Sequence, residues 1–229
     1  MTTIASNLQA MRAAIAAAAT ACGRSEQDIA LLAVSKNFPA NAIRAAYHAG
    51  QLFFAENYAQ EALDKITALQ DLPLEWHFIG PIQSNKTRVI AENFSWVHSV
   101  DRLKIAERLS AQRPENLPPL QICLQVNISD EASKSGVARA DAPALALQIA
   151  RLPHLALRGL MAVPAPSDDV ATQRADFAAL RQLSAHLNQQ GLNLDTLSMG
   201  MSHDYPSAIA EGATLLRIGT AIFGKRNYP

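Results

Sequence analysis

Residues 31–36, Leu-Leu-Ala-Val-Ser-Lys, form a short apolar run that ends on a lysine. Polar residues before it and Phe38-Pro39 after it mark the run as a fully buried strand. An amine at the exit of such a strand costs desolvation free energy unless it is neutral or paired, and a lysine with a lowered pKa is a carbonyl nucleophile. Lys36 is therefore read as a Schiff-base lysine; the competing reading is a strand-end lysine that snorkels to solvent. Two later loops could bind an anion. Gly200-Met201-Ser202 offers a hydroxyl and unhindered backbone N–H groups, and Gly219-Thr220 offers the same.

The elements that must hold these residues recur with one pattern. Residues 3–22 carry Ala, Leu, Met and Ile at helical spacing, and Gly23 suits the end of an opening helix. After the Lys36 strand, a helix runs from residues 39–41 to Gly50. Strands at 52–55, 76–80 and 96–100 alternate with helices at 58–70, 84–92 and 101–112. A Pro-rich loop at 113–119 precedes the alternating strand 120–127, which is expected to have one wetter face. Further on come a polar loop at 129–136, a helix at 142–151, a strand at 155–163 and a long helix at about 170–190. Strands at 194–199 and 214–218 flank a shorter helix around 205–211. This alternation predicts one α/β domain over residues 1–229, a single (β/α)8 TIM-type barrel with an extra N-terminal helix. An open dinucleotide-binding sheet is the runner-up, but no G-x-G-x-x-G follows the first strand.

In such a barrel the ligand site lies at the C-terminal ends of the strands. There the pattern places Lys36, Asn57, Ser99, Asn127, Met161, Ser198 and Arg217, with Asn57, Ser99 and Asn127 equally readable as helix caps. His77 reads as a hydrogen-bonded core histidine. A lysine able to form a Schiff base, in one mouth with a two-loop phosphate cradle, points to a phosphorylated aldehyde, and pyridoxal 5'-phosphate is the obvious one. A phosphosugar aldolase would also join lysine to phosphate, but needs an acid/base partner that the sequence does not supply.

Several motifs agree in order and spacing with one family. They are Ala33-Val34-Ser35-Lys36, Glu56-Asn57 with Gln60-Glu61, residues 76–86, Ser133-Lys134-Ser135-Gly136, Gly159-Leu160-Met161, residues 198–204 and residues 217–224. Together they resemble the pyridoxal phosphate homeostasis proteins of the YggS/PROSC type over nearly the whole chain. The resemblance implies the alanine racemase N-terminal barrel (PLP fold type III) with the cofactor as a Schiff base on Lys36. It implies that Ser202, Gly219 and Thr220 hold the phosphate and that Arg217 faces the pyridine nitrogen; Asn57 and Met199 complete the expected cofactor-binding set. An arginine there keeps the ring nitrogen unprotonated and weakens the ring as an electron sink. Racemases of this fold also take a second base from a further domain, which has no counterpart in these residues. The implied role is a non-catalytic carrier or buffer of the cofactor, with PLP-dependent apoenzymes as recipients; a small PLP-dependent racemase or decarboxylase is the alternative. Phe38 stands where some relatives carry a lysine, while Lys134 remains a candidate for accessory contacts.

Composition narrows the partners further. Twenty basic and twenty acidic side chains cancel, so no overall charge favours nucleic acid or an anionic membrane. No run approaches the roughly 18 to 20 apolar residues of a membrane span. Cys22 and Cys123 lack the close spacing of a zinc or dithiol motif, and the six histidines show no metal-ligand spacing, so no metal is expected. A soluble, cytoplasmic monomer is expected.

Overall fold

The computed structural model describes residues 3–129, 131 and 134–224. Helix α1 (Ile4–Ala21) starts on a capping box, in which Thr3 and Ser6 bond each other's backbone N–H groups. Its buried residues Leu8, Met11, Ile15 and Ala19 recur every three or four positions, so one stripe packs inward. The chain then alternates: β1 (Ala30–Val34), α2 (Ala40–His48), β2 (Phe53–Glu56), α3 (Ala59–Ala68), β3 (Glu75–Phe78), α4 (Thr87–Asn93), β4 (Trp96–Val100) and α5 (Leu103–Gln112). The second half comprises β5 (Leu120–Asn127), β6 (Val137–Ala138), α6 (Ala142–Ile149), β7 (Leu155–Met161), α7 (Val170–Gln189), β8 (Thr196–Ser198), α8 (Tyr205–Ala210), β9 (Leu215–Ile218) and α9 (Thr220–Phe223).

Every strand pairing is parallel, β1 pairs with β9, and β4 pairs with β5. The sheet is therefore a closed ring of β1, β2, β3, β4, β5, β7, β8 and β9, with β6 attached to β5 outside it. Closure removes the open sheet weighed from the sequence. Alternation along each strand divides the side chains between two cores. Outward residues such as Leu31, Ala33, Ile122 and Leu124 join the large apolar layer beneath the helices, while Leu32, Val34, Ala55 and Leu215 form a small cluster inside the barrel. Each fully buried Leu, Ile or Phe in these layers contributes about 1.5–3 kcal/mol. The wetter face expected of the strand at 120–127 is not found: Gln121, Cys123 and Gln125 turn into the closed barrel, where Cys123 and Gln125 are buried, while the alternate residues Leu120, Ile122, Leu124 and Val126 sit in the outer layer.

Some boundaries differ from the expected ones. The helix anticipated from residue 84 begins as a tight helical turn, Ser84–Lys86, before α4; Thr87 Oγ1 donates to Ser84 O and holds that turn. The strand expected over 194–199 has three paired residues, because Leu194 N–H bonds the Asn188 side chain instead of the ladder. Between the polar loop at 129–136 and the helix at 142–151, where the sequence pattern has no strand, β6 pairs Val137 with Val126. Gly159 lets β7 and β8 approach: a Cβ there would lie 1.7 Å from Thr196 O. Among the described residues no helix is long and apolar enough to cross a membrane.

Candidate cofactor site

Lys36 follows β1 on a turn held from below. Ser35 is buried, Phe38 N–H donates to Ser35 O, and Asn37 takes a left-handed backbone (φ 64°) with its N–H on Glu61 Oε1 at 2.7 Å. Beneath this turn the buried Lys65 ammonium donates to Ser35 O (2.9 Å), Glu56 Oε1 (2.8 Å) and Glu61 Oε1 (2.6 Å), and Ser35 Oγ donates to Glu56 Oε1 (2.6 Å). Burial pushes the Glu56 carboxyl above its ordinary value, opposed by the charge and hydrogen bond of Lys65. The two lysines thus divide the work. Lys65 is engaged by carboxylates in the layer below, and Lys36 lines a cleft at the C-terminal mouth of the barrel.

That cleft encloses about 380 Å³ and is lined by Lys36, Asn57, Ser202, Arg217, Gly219 and Thr220, with Val34, Ile79, Met161 and Val163 as its apolar walls. Its volume lies within the range of about 300–1,000 Å³ typical of ligand pockets. The β1–β9 pairing, with Leu32 opposite Arg217, brings the two ends of the chain together here, and a Cβ on Gly219 would stand 3.2 Å from Val34 O. Asn57 follows β2 and is drawn inward by Gly80, where a Cβ would lie 2.0 Å from Asn57 O. Its Oδ1 is buried and meets no hydrogen-bond partner among the described residues, which fits a polar atom set aside for a ligand.

Opposite Asn57 lie the loops after β8 and β9. Asp204 is buried and accepts the Met201 N–H on Oδ1 at 2.5 Å, shaping the turn that presents Ser202. Gly200, at φ 93°, begins that turn, and a Cβ would collide with Ala208 at 2.6 Å. Arg217 is buried, and its Nη1 donates to Ser198 O (2.5 Å) and Ser198 Oγ (2.8 Å) while Nη2 donates to Ala162 O (2.8 Å). Burial pulls its guanidinium down to about 10, against the upward pull of Asp204, so it is still a cation at neutral pH. Cationic, hydroxyl and amide donors around an apolar slot fit a phosphorylated, planar aldehyde.

Of the residues selected from sequence, Lys36, Asn57, Ser202, Arg217, Gly219 and Thr220 converge on this cleft. Met199 does not line it: its side chain is fully buried in the layer beneath the helices, and its N–H donates to Leu215 O. It follows Ser198, whose side chain turns into the barrel toward Arg217, so alternation turns Met199 outward. Ser99 and Asn127 also stay away, and neither caps a helix; Ser99 Oγ donates to Gly80 O (2.6 Å) and Asn127 Nδ2 to Glu131 O (2.8 Å). His77 is the expected core histidine, buried and hydrogen-bonded. His203 lines the cleft and was missed, although its place directly after Ser202 in the loop was a usable signal. Phe38 stacks on Phe223 with centroids 5.0 Å apart. Lys134 is half-buried, whereas Ser133 of its motif and the tail 225–229 lie outside the described residues.

A parallel barrel with this first-strand lysine defines a class, and the family model described as alanine racemase, N-terminal domain, matches residues 6–227. The solved alanine racemase of Corynebacterium glutamicum shares that fold at a TM-score of 0.69 and 17% identity, covering 96% of this chain and 59% of that one. Nearer relatives are more particular. Proteins named pyridoxal phosphate homeostasis protein from Pseudomonas aeruginosa and Escherichia coli K12 are 62% and 55% identical, over 100% of this chain and 98% and 99% of theirs. The chain belongs to the pyridoxal phosphate homeostasis protein family, within the alanine racemase N-terminal domain class. PipY of Synechococcus elongatus, solved with PLP bound, is similar at a TM-score of 0.86 and 42% identity, covering 97% of this chain and 100% of that one.

Proposed function

We propose that this protein holds pyridoxal 5'-phosphate in the cleft and carries or buffers it without catalysing a reaction. The observation that carries the reading is the convergence of Lys36, from the first strand, with Ser202, Gly219, Thr220 and Arg217, from the last two, on one cleft. When bound, the cofactor supplies an aldehyde that condenses reversibly with an amine and a ring that can withdraw electrons. Lys36 supplies that amine. Ser202, Thr220 and the backbone at Gly219 would hold the phosphate, Asn57 would offer its buried amide to a polar group of the ligand, and the apolar walls would shield the ring from water.

Arg217 decides against catalysis. Placed beside the ring nitrogen, this cation would keep that nitrogen unprotonated and so weaken stabilisation of a carbanion. The relatives named for cofactor homeostasis support the same conclusion. Residues 1–229 then act as a single cofactor-binding domain, a cytoplasmic monomer that hands the cofactor to PLP-dependent apoenzymes by exchange of the Lys36 amine for another.

The test is an absorption spectrum of the protein with added pyridoxal phosphate, before and after borohydride, with Lys36→Ala alongside. The expected result is a band beyond that of free cofactor that disappears on reduction, with cofactor mass fixed on the Lys36 peptide and none in the variant. Wild type without such a band, or fixation at another lysine, would overturn the assignment.

A further inference from the structure

A line of hydrogen bonds runs through the barrel interior from the cleft toward the opposite mouth. Arg217 Nη1 donates to Ser198 Oγ at 2.8 Å, Ser198 Oγ lies 2.8 Å from His98 Nδ1, His98 Nε2 lies 2.9 Å from His77 Nδ1, and His77 Nε2 lies 2.9 Å from Glu75 Oε1. Both histidines are buried, and the His77 ring stacks on Trp96 with centroids 5.5 Å apart and planes 7° apart. Glu75 is different. Its side chain is 39% exposed and lines a cavity of about 600 Å³ with Trp96, the first residue of β4, Gln121, the second of β5, and Arg158, midway along β7.

The ends of this line dictate where every proton sits. A guanidinium only donates and a carboxylate only accepts. The order is set from the carboxylate end: His77 donates from Nε2 to Glu75, a neutral His77 then accepts on Nδ1 from His98 Nε2, and a neutral His98 accepts the Ser198 hydroxyl proton on Nδ1, while Ser198 Oγ accepts from Arg217. Each junction holds one proton. The reverse polarity requires an imidazolium at His77 facing the buried Arg217 cation through His98, and burial pushes both histidines below their ordinary range. Among the described residues no carboxylate pairs directly with Arg217; Asp204 acts on it only through its field.

We propose that Glu75, His77, His98 and Ser198 form a one-way relay that positions the Arg217 guanidinium in the cleft, with Glu75 as its remote counter-charge. The four are positioning residues, and Glu75 tunes a bound cofactor from the far end of the barrel. This rests on the reading of Arg217 as the group that faces the cofactor ring.

Two measurements test it. In protein without cofactor, long-range nitrogen–proton NMR of labelled histidines, assigned with His77→Gln and His98→Gln, should show both rings neutral with the proton on Nε2; a proton on Nδ1 of either ring overturns the relay. With pyridoxal phosphate added, Glu75→Gln keeps an acceptor for His77 but removes the charge. The pH midpoint of the bound cofactor's absorption band should move down by about half a unit, and Glu75→Asp should restore it. Lys36, Cys123, His203 and Asp204, the other titratable groups around the cleft and Arg217, are unchanged in that variant. A midpoint equal to wild type, with binding intact, overturns the relay alone. Wild type that binds no cofactor overturns the reading of the cleft itself, and with it the cofactor end of this inference.

Discussion

At the residue scale the site depends on two lysines with opposite tasks. Lys65 neutralises carboxylates under the Lys36 turn, and its loss strands a charge: Glu56 is fully buried, with Oε2 unpartnered among the described residues. Lys65→Met is expected to destabilise the fold by about 3–5 kcal/mol, and adding Glu56→Gln should recover part of this, as chemical denaturation of both variants will measure. A double variant no more stable than the single one would show that the ion pair is not the cause. On the proposed function, Ser202 acts on the ligand instead. Ser202→Ala removes one hydrogen bond to a charged phosphate, worth about 1.5–3 kcal/mol, so equilibrium titration should read a cofactor affinity lowered roughly ten- to hundredfold with an unchanged melting temperature.

At the element scale, close approaches between strands and loops place the residues that line the cleft. Gly80 follows β3 and lets Asn57 reach the cleft, and Ser99 fixes Gly80 through its carbonyl. Gly80→Ala forces Asn57 aside; we expect a loss of about 1–3 kcal/mol in stability together with weaker cofactor binding, where a purely structural effect would leave the affinity of the folded fraction alone. Helix α7 is tied to the end of α8 by Glu211, which accepts from Arg174 (2.8 Å) and Arg181 (3.1 Å). Burial acts to raise this carboxyl, but the two arginines outweigh it and hold it below its usual 4.5. A depressed folded-state pKa gives stability that is present above the ordinary pKa and lost as pH falls below it. Glu211→Gln should therefore cost about 1 kcal/mol at neutral pH, given the half-exposed arginines, and flatten the acid limb of a pH-stability curve below about pH 4.5. An acid limb as steep as that of wild type would assign the loss to other carboxylates.

At the scale of the whole molecule, closure of the ring gathers the proposed cofactor site at one mouth and leaves the other as the outer end of a buried polar line. Arg217 belongs to both, facing the cleft and bonded to Ser198 within the barrel. A cation in that place argues for binding rather than turnover. Amino acids incubated with the cofactor-loaded protein in deuterated water are expected to exchange their Cα protons no faster than with free pyridoxal phosphate. Exchange well above that rate would show a proton-transferring enzyme.

The sequence by itself determined the alternation of strands and helices, the strand-end lysine and the two glycine-bearing loops, because these are local patterns of period, turn chemistry and residue type. It also placed Asn57, Ser99, Asn127 and Ser198 at strand ends. Only the tertiary structure decided which of them enter the cleft. Asn57 does so because Gly80 makes room, while Ser99 turns to a carbonyl and Met199 alternates into the outer layer. Nor did spacing reveal Lys65 beneath Lys36, or the link from Glu75 to Arg217, since those partners lie on different strands and helices. Such contacts follow from register and closure, which bring β9 beside β1 and aim β3, β4 and β8 at one interior.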